Sequence, residues 1–122
     1  MRPSAALLLM ALPAAAAERP KVDIACIPGG RLVYDCTFVV RDARTERPIN
    51  HVDVIVDAEM ASDRRDLPSV RAAPAGGPGT YKARLALTAS GDWTLRLRLS
   101  GTVTDQLIER LRFEDGRPAQ RR

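Results

Sequence analysis

Two runs of alternating apolar and polar residues flank a short polar turn between residues 79 and 99. Their apolar positions are Tyr81, Ala83, Leu85 and Leu87, then Trp93, Leu95, Leu97 and Leu99. Strict alternation of this kind is typical of a β-strand with one buried and one solvated face. The residues between the runs, Ser90-Gly91-Asp92, have the composition of a turn. The sequence therefore predicts an antiparallel β-hairpin whose inner face carries Tyr81 and Trp93 as structural core residues.

Similar patterns predict further strands at residues 22–27, 32–41, 49–60, 69–72 and 107–113. The last run also fits a helix, because Leu107, Ile108 and Leu111 have helical spacing, whereas a strand there turns Glu109 toward the core. The β-rich remainder of the chain favours the strand. About seven short strands separated by turns predict an all-β fold, an immunoglobulin-like antiparallel β-sandwich.

The first 17 residues have the features of a secretory signal peptide. One arginine is followed by an apolar run over residues 5–12 and by small residues that end at Ala17. This run is too short to span a bilayer, and no later segment is long or apolar enough to do so. We therefore expect cleavage after Ala17, a periplasmic or secreted protein, a sandwich domain over 18–115 and a basic disordered tail over 116–122.

The chain has two cysteines, Cys26 and Cys36, on the predicted inner faces of the first two strands. An even number of cysteines in an exported protein favours a disulfide, here across two strands or between two sheets. The alternative is a thiolate metal site, but the spacing of these cysteines matches no common zinc motif. Closing so short a loop would stabilise the fold by roughly 3 kcal/mol at most.

Composition and motifs argue against several classes of function. The net charge is +4, but with five aromatic residues the chain lacks the interleaved basic and aromatic residues of a nucleic-acid interface. The only histidine has no neighbouring catalytic motif, and we expect no enzyme. Asp53, Asp57 and Glu59 form an acidic stripe on the third strand, which we interpret as a solvated face opposite the arginines Arg84, Arg96 and Arg98.

Several residues in the middle of the chain together suggest a known family. They are Arg47-Pro48-Ile49, an alternating strand followed by Met60, Leu67-Pro68, the Gly-x-Tyr of Gly79 and Tyr81, and the Gly-x-Trp-x-Leu of Gly91, Trp93 and Leu95. Between about residues 41 and 99 the chain resembles the YtkA-like and FixH-like domains, which are small exported or membrane-anchored immunoglobulin-like sandwiches. The resemblance implies copper handling or assembly of a haem-copper oxidase.

In this family, copper-binding members carry Met and His in the loop that matches residues 59–68. This chain keeps only Met60 there, and its single histidine, His51, lies at the start of the preceding strand. Copper(I) needs several soft ligands, so Met60 is more simply a core residue and His51 a surface residue. Their odd separation also puts them on opposite faces of a regular strand.

Three functions remain open from the sequence. The first is a non-catalytic accessory domain that binds a protein partner in the cell envelope. The second is a copper carrier that uses Met60, His51 or the cysteine pair and completes its site from a second chain. The third is a structural or adhesive sandwich, without metal, that pairs through an exposed edge strand.

Overall fold

The computed structural model describes residues 18–60 and 65–122, and the predicted signal peptide at residues 1–17 lies outside this range. Strands account for the secondary structure of the described residues, without a helix. They are β1 Pro20–Gly30, β2 Val33–Asp42, β3 Val52–Met60, β4 Arg65–Asp66, β5 Val70–Pro74, β6 Thr80–Ala86, β7 Gly91–Gly101, β8 Asp105–Phe113 and β9 Gln120–Arg121. The run at 107–113 is thus a strand, as its period of two predicts.

The strands form two antiparallel layers that share β5. One layer has the order β1-β2-β6-β5 and the other the order β5-β3-β7-β8-β9, with β4 also paired to β3. The first half of β5 pairs with β3 and its last two residues pair with β6, so this strand crosses from one layer to the other. The predicted all-β antiparallel sandwich is confirmed, and seven of its strands have at least five residues.

The predicted hairpin of residues 79–99 is wrong in its pairing. Its two runs are β6 and β7, but β6 pairs with β2 and β5, whereas β7 pairs with β3 and β8. The connection between them crosses from one layer to the other, and the two apolar faces meet across the core. Two hydrogen bonds fix this connection. The Leu87 N–H donates to the Leu32 carbonyl (2.8 Å), and the Trp93 indole N–H donates to the Ala89 carbonyl (3.0 Å).

The inner faces of the two layers form one hydrophobic core. Tyr81 is 3% exposed and Trp93 is 1% exposed. Other fully buried large side chains come from both layers: Tyr34, Phe38 and Leu85 from the first, and Leu95, Leu97 and Phe113 from the second. The rings of Tyr34 and Phe113 make an edge contact with centroids 4.9 Å apart, so they join the layers directly. Burying each such side chain contributes about 1.5–3 kcal/mol.

A buried carboxylate, Asp42, organises the loop after β2. It accepts hydrogen bonds from the backbone N–H groups of Arg19 (2.9 Å), Arg44 (3.2 Å) and Thr45 (2.8 Å), and from the Thr45 hydroxyl (2.9 Å). The Arg19 bond, followed by those from Thr45 and Arg44, lowers the pKa of Asp42 from 3.8 to about 2. These hydrogen bonds to the Asp42 carboxylate hold the start of the sandwich domain against the β2–β3 loop.

The C-terminal segment differs from the predicted disordered tail. Residues 120 and 121 form β9, which pairs with Arg112 and Leu111 of β8. The backbone N–H of Ala119 donates to the Cys26 carbonyl of β1 (2.9 Å), and that of Arg122 donates to the Arg110 carbonyl (2.9 Å). A segment whose composition suggests disorder is therefore held by backbone hydrogen bonds and by the ion pairs described below.

Candidate functional site

A disulfide bond joins Cys26 and Cys36. The two residues are direct partners in the register of β1 and β2, and both side chains are buried on the inner face. The bridge is therefore the cross-strand type and not an inter-sheet one. It ties β1, which begins the sheet order, to its neighbour β2.

Met60 and His51, the residues considered for copper, lie at opposite ends of β3. Met60 is 3% exposed in the core, where its terminal methyl packs against Gly91: a Cβ there would lie 2.8 Å from it. His51 precedes the strand and is exposed. Their positions are nine residues apart, which corresponds to roughly 30 Å of extended chain.

These residues do not fit a copper site. A single buried thioether lacks the further soft ligands that copper(I) requires, and the cysteine sulfurs are committed to the disulfide. Across residues 18–60 and 65–122, no group of three or more His, Cys, Asp or Glu side chains is arranged to hold a metal ion.

The Gly-x-Tyr pair, Gly79 and Tyr81, has a packing role. Gly79 has φ +67°, and a Cβ on it would lie 2.7 Å from the Val40 carbonyl oxygen. The Tyr81 hydroxyl donates to the Ile49 carbonyl (3.0 Å) and accepts from the Val52 N–H (3.4 Å). Both residues thus fix the segment that leads into β3, which explains the motif without a ligand.

Ion pairs cover the acidic stripe of β3. Asp53 pairs with Arg71 (2.9 Å), Asp57 with Arg98 (2.8 Å), and Glu59 lies 4.0 Å from Arg96. The expected positions of Arg96 and Arg98 are therefore right, but Arg84 instead pairs with Asp35 of β2 (3.0 Å), because β6 belongs to the other layer.

The pKa of the Asp57 carboxyl is lowered, chiefly by hydrogen bonding from Arg98. Cross-strand pairs of this kind contribute about 0.2–1 kcal/mol each. The stripe is thus a neutralised, solvated face.

Two large apolar side chains of the described surface are exposed: Ile27 of β1 and, at 51%, Ile108 of β8. Ile27 is 56% exposed and lines an open groove of about 450 Å³ on the outer face of β1, β2 and β6. Polar side chains of Asp35, Lys82 and Arg84 line the rest of the groove. An apolar side chain beside an edge strand marks a surface suited to contact with another chain.

The gap between β1 and β8, which we call the seam, separates the two long strands at the ends of the sheet order. Among the residues that the structure describes, the short segment 119–122 lies in it. The Ala119 N–H and the Arg121 guanidinium reach the carbonyls of Cys26 (2.9 Å) and Val22 (3.5 Å) on β1.

In an antiparallel strand, alternate residues turn both their N–H and C=O groups to the same side. The carbonyls of Val22 and Cys26 point into the seam. The N–H and C=O groups of Ile24, which lies midway between them, therefore point into the seam as well. Within the described ranges, no backbone group outside the β1–β2 ladder bonds to Ile24. The seam thus offers backbone groups for a further extended segment.

Sequence reasoning missed the seam. The inward position of Glu109 was a usable signal, because a carboxylate on an inner face requires a cationic partner. The structure supplies it as Arg121, 2.5 Å away, while Arg122 lies 3.5 Å from Asp92 and Arg117 lies 3.5 Å from Glu114. The fold therefore brings Glu109 and Asp92 to arginines of the basic tail, whereas Glu114 lies only three residues before Arg117.

Comparisons with protein-family models, curated proteins and solved structures found no match for this chain. The described residues form strands and loops, and none of them belongs to a helix long and apolar enough to cross a membrane.

Proposed function

We propose that this chain is an exported, non-catalytic accessory domain that binds a protein partner in the cell envelope. Its resemblance to YtkA-like and FixH-like domains supports a place near copper handling or respiratory oxidase assembly. The misfit of Met60 and His51 to a copper site favours a protein-binding role within that setting over metal carriage.

The observation that carries this proposal is the incompletely covered edge of β1. This strand has 11 residues, a disulfide that holds it to β2 and an exposed Ile27 on its outer face. Strand edges of this kind bind extended segments of other proteins through main-chain hydrogen bonds. The edge is long enough for such pairing, and the disulfide keeps it in place.

A structural or adhesive module that pairs through the same edge is the second candidate. It differs from the first in its partner, because an adhesive module would pair with copies of itself or with many surfaces. The ion pairs that neutralise the β3 face favour one specific edge over broad charge-driven adhesion.

Photo-crosslinking in the cell envelope tests the proposal. We expect a photoreactive amino acid in place of Ile27 to give a discrete adduct with one partner protein. The matched control replaces Ser100, an exposed residue on the outer face of the other layer, and should give no such adduct. Adducts only between copies of the chain would favour the adhesive module, and equal adducts from both positions would exclude a partner site at β1.

A further inference from the structure

The C-terminal segment lies in the seam in the manner of a bound extended peptide. Its backbone bonds to both walls, with the Ala119 N–H on Cys26 of β1 and β9 paired to β8. Ala119 packs against the core, and Arg121, two residues later, faces the same side and reaches Glu109. The segment therefore turns a partly buried alanine and, two positions later, an arginine to the same side, and the Arg121 side chain is itself 59% exposed.

The segment fills only a part of the seam. β9 has two residues, whereas β1 has 11 and β8 has nine. Ile24 of β1 turns backbone groups into the seam that this segment does not bond. The turn before the segment contains Gly116 at φ +79°, where an added Cβ would meet no atom within 4 Å.

We propose that the seam binds an extended segment of a partner protein with a small apolar residue followed two positions later by arginine, and that residues 119–122 occupy the seam as an internal competitor. This inference rests on the proposed protein-binding function and adds the chemistry of the partner. We specify a basic segment because Glu109 places a carboxylate in the seam.

Charge complementarity selects that partner. The Glu109 carboxylate faces inward on β8, its side chain is 24% exposed, and its partner in the described residues is Arg121. A partner segment that displaced the tail without a cation at this place would leave a partly buried carboxylate unpaired. An acidic or purely apolar segment is therefore disfavoured.

A reciprocal charge swap in the full mature chain tests the proposal. The probes are the synthetic peptide Gly-Arg-Pro-Ala-Gln-Arg-Arg, which copies residues 116–122, and the same peptide with glutamate at its sixth position. In the Arg121→Glu variant, Glu109 repels the tail. We expect the native peptide to bind this variant at least about tenfold more tightly than it binds the wild type, because the tethered wild-type tail competes with it. Glu109→Lys should prefer the glutamate peptide to the same extent.

Binding is followed by NMR, because the amides of Val22, Ile24 and Cys26 report the location directly. Arg71→Glu and Asp53→Lys are the matched controls, since they make the same changes in net charge at an ion pair outside the seam. They should bind both peptides as weakly as wild type. The neutral variant Arg121→Gln should also bind the native peptide more tightly than wild type does, but by a smaller factor. Trp93 fluorescence checks that each variant is folded.

Three results would each overturn the inference. They are the absence of native-peptide binding to both Arg121→Glu and Arg121→Gln, equal affinity of each variant for the two peptides, and amide shifts at residues away from β1. These outcomes differ from failure of the proposed function. An Ile27 adduct without peptide binding would leave the partner site in place and remove only the basic segment and the competing tail.

Discussion

Alanine substitution of three glycines provides a graded test of the fold around Gly79. Gly77 has no positive φ and no atom within 4 Å of an added Cβ; Gly116 has φ +79° with the same open space. Gly79 combines φ +67° with a Cβ that would lie 2.7 Å from the Val40 carbonyl and 2.9 Å from the Pro48 Cβ. The three positions therefore separate the entropic, conformational and steric effects.

The expected changes in the free energy of unfolding follow from these environments. Gly77→Ala should be neutral or stabilise by about 0.4–1 kcal/mol, because alanine restricts the unfolded chain. Gly116→Ala should destabilise by about 1 kcal/mol, because a left-handed conformation costs about 1–2 kcal/mol and the entropic gain offsets part of it. At Gly79 the backbone clash adds about 1–3 kcal/mol to the same net conformational cost, which gives a loss of about 2–4 kcal/mol in total.

Urea denaturation of the oxidised protein, followed by fluorescence of the single buried tryptophan, measures all three variants. Small domains are stable by only about 5–15 kcal/mol, so the Gly79 effect is a large fraction of the total. If Gly79→Ala were no worse than Gly116→Ala, the close approach of residue 79 to the Val40 carbonyl would not exist. The packing role given to the Gly-x-Tyr pair would then be wrong.

Three further predictions test single features of the molecule. The pKa of Asp42 is lower in the folded than in the unfolded chain, so its contribution to stability should be constant above about pH 5 and disappear as pH falls toward 2; the gap in unfolding free energy between wild type and Asp42→Asn measures it. Copper(I) titration of the mature protein should show no stoichiometric submicromolar binding, and Met60→Ala should instead destabilise the core by about 2–5 kcal/mol. Alkylation without reductant should label neither Cys26 nor Cys36, and two labelled thiols would refute the disulfide.

The sequence predicts which residues face the core much better than it predicts which strands are neighbours. Period-two alternation places Tyr81 and Trp93 inside because it depends only on the two faces of one strand. The same pattern suits a hairpin and a connection that crosses between layers, since both reverse the chain after a turn. Only packing of the whole core decides between them, and it puts these two runs in opposite layers.

The same limit explains the pairing of charges. The arginines at positions 96 and 98 are found opposite the acidic stripe because β7 is the neighbour of β3, whereas Arg84 pairs with Asp35 because β6 lies beside β2. Alternation indicates that all three face solvent. It contains no information about the strand that each of them meets.

The C-terminal segment shows why composition alone gives an incomplete picture of the candidate site. A run of arginines, proline and glycine has too few apolar residues to fold by itself, which is why the sequence suggests disorder. The fold nevertheless leaves a carboxylate on the inner face at Glu109 and outward-pointing carbonyls on β1, and the segment satisfies both through Arg121 and Ala119. Under the proposed competition, the contacts that order the tail are therefore also those that a partner with the same spacing of a small apolar residue and an arginine would have to replace.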